Sequence, residues 1–181
     1  MYAVKQLHSN HFLEIEKIYK ETFPRTDDAD FYSAWRTKEC NSSLGLYYKA
    51  KLVGFAITTH HTHKSIRLWF IAVDSTERSA GAGTQLLTAV MEAVANTGMR
   101  LELTPDNCER VIQWYKRHGF VVTKTMPFIH RDIPTCWMEW VPQMATTISR
   151  ENSDASTETL ESICDRSSFS STDSLTDLID A

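Results

Sequence analysis

The stretch LWFIAVDSTERSAGAGTQLL, Leu68 to Leu87, decides the fold. Its first seven residues form an apolar run that reads as a strand. After the turn, Leu86, Leu87, Val90, Met91 and Val94 recur at helical spacing, and Gly98 stands where a C-terminal helix glycine belongs. Between strand and helix lie Gly81 and Gly83, two of only six glycines in the chain. A tight backbone turn is one explanation, and an anion cradle is the other. A strand that runs through a glycine turn into a helix N-terminus presents unpaired N–H groups and the positive end of the helix dipole to one small volume. Gly81 and Gly83, with the small Ala80 and Ala82, let an anion approach that backbone. Gly81-Ala82-Gly83-Thr84-Gln85 supplies neither G-x-G-x-x-G nor a Gly-Lys-Ser/Thr ending, so the familiar dinucleotide and P-loop patterns are excluded.

Working outward, YAVKQL reads as a first strand, and Ser9 or Asn10 caps a helix whose Phe12, Leu13, Ile15, Ile18 and Tyr19 share a face. Pro24 ends that helix. A second helix is expected over Asp28 to Lys38, starting in the acidic stretch TDDAD, where negative charge suits a helix N-terminus. LGLYYK and KLVGFAITTH follow as strands hinged at Ala50-Lys51, then a turn crowded with His60, His61 and His63, then SIRLWFIAV. Beyond the glycine turn come a strand MRLELT, a helix NCERVIQWYKRHG stopped by Gly119, and strands FVVTKT and TCWMEW. This order predicts an α/β (α+β) domain: a mixed, mostly antiparallel sheet of about seven strands with helices on both faces.

From Gln143 onward the chain holds 15 Ser or Thr, 8 acids and 2 bases in 39 residues, and the net charge of the remaining 142 is about +2. The expected organisation is therefore a folded domain over 1–142 and an acidic, hydroxyl-rich tail over 143–181, disordered because it buries too little apolar surface. Ser162, Ser170 and Ser174, each three residues before an aspartate, suggest acid-directed phosphorylation, and Leu175, Leu178 and Ile179 a docking turn for a protein partner. No signal peptide and no membrane span is read, so an intracellular, cytoplasmic location is expected, with four reduced cysteines. Neither nucleic acid nor membrane is expected as a partner.

Arg78-Ser79-Ala80-Gly81-Ala82-Gly83 resembles the acyl-CoA signature Q/R-x-x-G-x-G/A of the GNAT acetyltransferase superfamily. A second signature of that superfamily, Y-x-x-x-G-F, is matched by Tyr115-Lys116-Arg117-His118-Gly119-Phe120. The resemblance covers about residues 1 to 142 and implies an acetyl-CoA-dependent N-acetyltransferase, with acetyl-CoA as co-substrate and no metal. It places the pyrophosphate on the amides of Arg78, Ser79, Ala80, Gly81, Ala82, Gly83 and Thr84. The pantetheine arm would pair like an extra strand against Ile71, Ala72 and Val73. Tyr115 would be the general acid for the leaving thiolate, and Glu102 the general base. The bland alternatives are a core tyrosine beside Trp114 and a solvent-facing strand glutamate.

Asn107 corresponds to an asparagine that often helps hold CoA, but it lies one residue further from Tyr115 than is usual. Either a π-bulge absorbs the extra residue or Cys108 fills the place. His60, His61 and His63 make a poor zinc set on an exposed turn, although one of them is an alternative base. Acids in Thr26-Asp27-Asp28-Ala29-Asp30 would attract a cationic acceptor, or simply cap the helix. Small amine, polyamine and protein amino group all remain open as acceptors. A non-catalytic CoA-binding or partner-binding module is the competing class.

Overall fold

A computed structural model describes residues 1–24, 28–78, 81–105, 108–126 and 135–143. Thr26, Asp27, Ser79, Ala80, Asn107 and the tail beyond Gln143 lie outside the described residues. Seven strands form one sheet: β1 (Tyr2–Gln6), β2 (Leu44–Tyr48), β3 (Lys51–Thr62), β4 (Ser65–Val73), β5 (Arg100–Leu103), β6 (Val121–Met126) and β7 (Thr135–Trp140). Their order is β1-β2-β3-β4-β5-β7-β6, and every pairing is antiparallel except β4 with β5. Four helices complete the domain: α1 (Phe12–Thr22), α2 (Asp28–Arg36), α3 (Ala82–Ala95) and α4 (Glu109–Arg117). The expected architecture is present.

Strand alternation sorts the interior into two cores on opposite faces of the sheet. On one, Leu86, Leu87, Val90 and Val94 of α3 pack with Leu68, Val73, Leu101, Leu103 and Met138, joined by Tyr115 and Phe120. On the other, Ile15, Ile18 and Tyr19 of α1 and Phe31, Ala34 and Trp35 of α2 cover Phe55, Ile57, Phe70 and Ala72. The Tyr19 and Phe31 rings stack there with centroids 4.0 Å apart. This second core draws on no described residue of β5, β6 or β7, so the α1/α2 side of those strands carries polar groups instead.

Several local expectations are corrected. Leu13 is 74% exposed, because at about 100° per residue it stands about 200° around α1 from Ile15, opposite the face that Ile15, Ile18 and Tyr19 bury. α2 stops at Arg36, two residues short of expectation, since Lys38 leaves the helix to bridge Thr59 of β3. His60 and His61 belong to β3 rather than to the turn, and only His63 lies beyond the strand. No described helix is long and apolar enough to cross a membrane. Cys40, Cys108 and Cys136 are free thiols.

Candidate active site

β4 is paired with β5 over only part of its length. Ser65, Ile66, Arg67 and Leu68 face Arg100, Leu101, Glu102 and Leu103. Beyond Leu68 the two strands part, while β4 stays paired with β3 through Phe70, Ile71, Ala72 and Val73. One extra residue, Trp69, is inserted in β4 at the point of parting, where the register with β3 shifts between Ile57 and Thr58. Such a bulge bends a strand and increases its twist, and here it lies where the sheet opens.

The open edge has definite donors and acceptors. Asp74 N–H donates to Val53 O at 2.8 Å, so the alternation of an antiparallel ladder assigns Ala72 and Phe70 to β3 and turns the backbone groups of Ile71 and Val73 toward the fork. The Val73 carbonyl already accepts from Arg78 Nε at 3.0 Å. Arg78 also donates from its terminal nitrogen to Thr22 Oγ1 at 3.2 Å, tying the end of β4 to the end of α1. Arg78, expected to serve the cradle through its amide, thus also braces the end of β4 with its side chain.

The glycine turn closes the fork. Gly81 caps α3 with φ 73°, left-handed backbone that a glycine adopts without strain. Gln85 is the first α3 residue whose amide reaches back, to Gly81 O at 3.0 Å. The amides of Ala82, Gly83 and Thr84 precede it, and among the described residues no side chain caps them. At Gly83 an added Cβ would meet only Trp114, at 3.7 Å, so packing alone leaves room for alanine.

Tyr115 is 5% exposed, in the core that also holds Leu68, Leu103 and Val73. Its ring packs edge-on to Trp114 and Phe120, at 4.8 and 5.4 Å between centroids. α4 is regular α-helix from Glu109, with Ile112 N–H donating to Cys108 O at 3.0 Å, so no π-bulge absorbs the additional residue. The exposed Cys108 is the helix N-cap and makes no side-chain cap.

Glu102 lies on the face of β5 opposite Leu101 and Leu103, and it is 3% exposed rather than solvent-facing. Burying a carboxylate demands partners. His61 Nδ1 is 2.7 Å from its Oε2, and Arg100 Nε is 2.8 Å from Oε1, off the hydrogen-bond direction. Arg100 also reaches Glu139 of β7 at 3.6 Å. Beside Glu102 in the β4–β5 ladder stands Arg67, whose guanidinium lies 4.0 Å from the Trp69 ring centroid and 4.9 Å from that of Trp137. Burial pulls the Arg67 pKa below its ordinary value, and the charges of Glu102 and Asp30 partly offset this. Asp30 of the acidic stretch therefore acts on this face. A cleft of about 400 Å³ lined by Thr123, Lys124, Trp137 and Glu139 continues it outward.

Glu102 and Tyr115 thus flank the fork from opposite faces of the sheet. Sequence reading missed Arg67, Trp69, Trp137 and Arg100. Arg67 and Trp69 lie in the strand run SIRLWFIAV, where alternation alone would have put them on one face. Among the described residues, no group of three or more His, Cys, Asp and Glu is placed to hold a metal.

The chain is similar in fold to several solved acetyltransferases. A GNAT family acetyltransferase from Elizabethkingia anophelis with acetyl-CoA bound superposes with TM-score 0.65 at 14% identity, covering 78% of this chain and 98% of that one. The ribosomal-protein-S18-alanine N-acetyltransferase from Escherichia coli gives TM-score 0.64 at 19% identity, over 82% and 98%. The aminoglycoside 6'-N-acetyltransferase from Enterococcus faecium gives 0.67 at 15%, over 78% and 99%. No curated protein matches the sequence. The model of the acetyltransferase (GNAT) family matches residues 10–120, from the first helix through both signatures, and the chain therefore belongs to the GNAT acetyltransferase family.

Proposed function

We propose that this chain transfers acetyl from acetyl-CoA to an amine by direct attack in a ternary complex. The observation that carries the proposal is the fork: a strand edge whose Ile71 and Val73 amides face away from β3, leading into the amides of Ala82, Gly83 and Thr84 at the start of α3. A pantetheine arm bears amides that pair with such an edge, and a pyrophosphate suits such a helix start. Ser79, Ala80 and Asn107 complete the proposed cofactor set, and Arg78 supports it. The family and the neighbour holding acetyl-CoA support the same cofactor.

The thioester would lie where β4 and β5 part. An amine arriving on the face of Glu102 must lose a proton before attack, and the departing thiolate must gain one. Tyr115, on the other face, is the proposed acid. A phenol with an ordinary pKa near 10 matches a thiol of similar basicity. Glu102, or a group it holds, is the proposed base.

The acceptor class stays open between small amine, polyamine and protein amino group. Neighbours with TM-scores of 0.64 and 0.67 are named for a ribosomal-protein alanine and for an aminoglycoside. The proposed organisation remains a domain over 1–142 with an acidic tail over 143–181 that engages a protein partner. CoA release from acetyl-CoA against amines and peptides tests the activity. Turnover with one acceptor and a Tyr115→Phe loss of about 10²-fold or more in kcat support it. Acetyl-CoA binding without CoA release from any acceptor would favour a non-catalytic module.

A further inference from the structure

A base must touch the amine it deprotonates, and Glu102 is badly placed for that. Its side chain is 4% exposed, with Arg100 at one carboxylate oxygen and His61 at the other. An ionised carboxylate only accepts, so the proton of the 2.7 Å contact belongs to His61 Nδ1, and the neutral ring keeps its lone pair on Nε2. Nε2 has no partner among the described residues, and the His61 side chain is 40% exposed.

The backbone explains how a residue of β3 reaches β5 across β4. The register of β3 with β4 shifts between His60 and Thr62, leaving His61 as an extra, bulged residue. A bulge re-aims the side chain it carries. Its neighbour His60 turns instead to Glu39, at 2.8 Å. The Trp137 ring stands 5.4 Å from the His61 ring and borders it from β7.

We infer that His61 is the group that takes the proton from the acceptor amine, and that Glu102 is a positioning residue holding the imidazole in its Nδ1–H form. The inference rests on the proposed acetyl transfer. The charged groups around the pair are Arg100 beside Glu102 on β5, Glu139 on β7 and Arg67 on β4. Neutral Nε2 accepts one proton from the ammonium, and the freed nitrogen lone pair attacks the thioester carbon. The C–N bond forms and the C–S bond breaks. Tyr115 protonates the leaving sulfur and regains a proton from the one the adduct nitrogen sheds, while the exposed imidazolium returns its proton to water. One amide, one thiol and one proton result.

The test uses the full chain, His61→Gln and Glu102→Gln. CoA release from acetyl-CoA is followed against spermidine, a peptide with a free N-terminus and a lysine peptide with a blocked one, from about pH 5 to 9. Wild-type kcat/KM should fall on the acid side as the base takes up a proton. His61→Gln should lose about 10²- to 10³-fold at neutral pH and lose that fall, its residual rate climbing as free amine accumulates. Glu102→Gln should lose less and keep it. Wild-type rate and profile in His61→Gln, with Glu102→Gln inactive, would overturn the assignment and return the role to Glu102. Nitrogen NMR of wild-type histidines gives a second reading that needs no variant to fold: His61 should be protonated at Nδ1, and protonation at Nε2 alone sinks the pair. An active wild type with an unaffected His61→Gln rejects the inference alone. A wild type inert toward every acceptor rejects the acetyl transfer itself, and with it the role of His61.

Discussion

The two halves of β4 share one strand and do opposite things. From Ser65 to Leu68 it is held on both sides, by β3 and by β5, and its Arg67 joins Glu102 of β5 and His61 of β3 in a polar face. From Phe70 to Val73 it keeps β3 and loses β5, so its backbone rather than its side chains is what it offers. A closed ladder fixes side chains well enough for proton transfer. An open one leaves main-chain hydrogen bonds to be completed by a ligand.

The sharpest way to break that comparison is proline at adjacent positions in the open half. Ala72→Pro removes a donor directed at β3 and leaves a buried carbonyl unpaired, a loss of about 1–3 kcal/mol before ring clashes, and should unfold or strongly destabilise the domain in denaturant titration. Ile71→Pro removes a donor directed at the fork. It should lower Tm less while weakening acetyl-CoA binding about tenfold in calorimetry, the value of one hydrogen bond. Equal damage from the two would mean that the assigned ladder alternation is wrong.

Gly83→Ala separates stability from binding more gently. Its Cβ meets only Trp114, so the helix should gain about 0.5–1 kcal/mol in Tm-derived stability, while acetyl-CoA binds more weakly because the methyl group occupies the approach to the amides. A variant that gains stability and keeps full affinity would remove Gly83 from the cradle. The smallest effect lies far from the fork, in the two-residue turn between β2 and β3, where Lys49 and Ala50 hold φ of 47° and 65°. Primed hairpin turns favour glycine there, so Ala50→Gly should add at most about 1 kcal/mol and leave acetyl-CoA affinity unchanged.

The fold was legible because its signals are local. Gly81 and Gly83 before an apolar helical stripe, and Tyr115 four residues before Gly119, need only spacing to be read, and Gly119 indeed holds φ 86°. The polar face around Glu102 was not legible in that way. Glu102 looks like any alternating strand residue, and its contacts with Arg100 and His61 are properties of the assembled sheet. The two bulges, at Trp69 and His61, are single inserted residues with no composition of their own, visible only as register shifts against a partner strand. Reading His61 as part of a turn hid the bond that organises the site. Leu13 failed for a plainer reason, because a position two residues before Ile15 lies about 200° around the helix and so faces away from the core.

Hydrogen exchange with and without acetyl-CoA tests the central claim most directly, because it reads both halves of β4 in one experiment. Saturating acetyl-CoA should slow exchange at the amides of Ile71, Val73, Ala82, Gly83 and Thr84 and leave those of Ser65 to Leu68 unchanged. Unchanged exchange at Ile71 and Val73, or protection spread evenly along β4, would contradict the assignment of the fork as the acyl-CoA site.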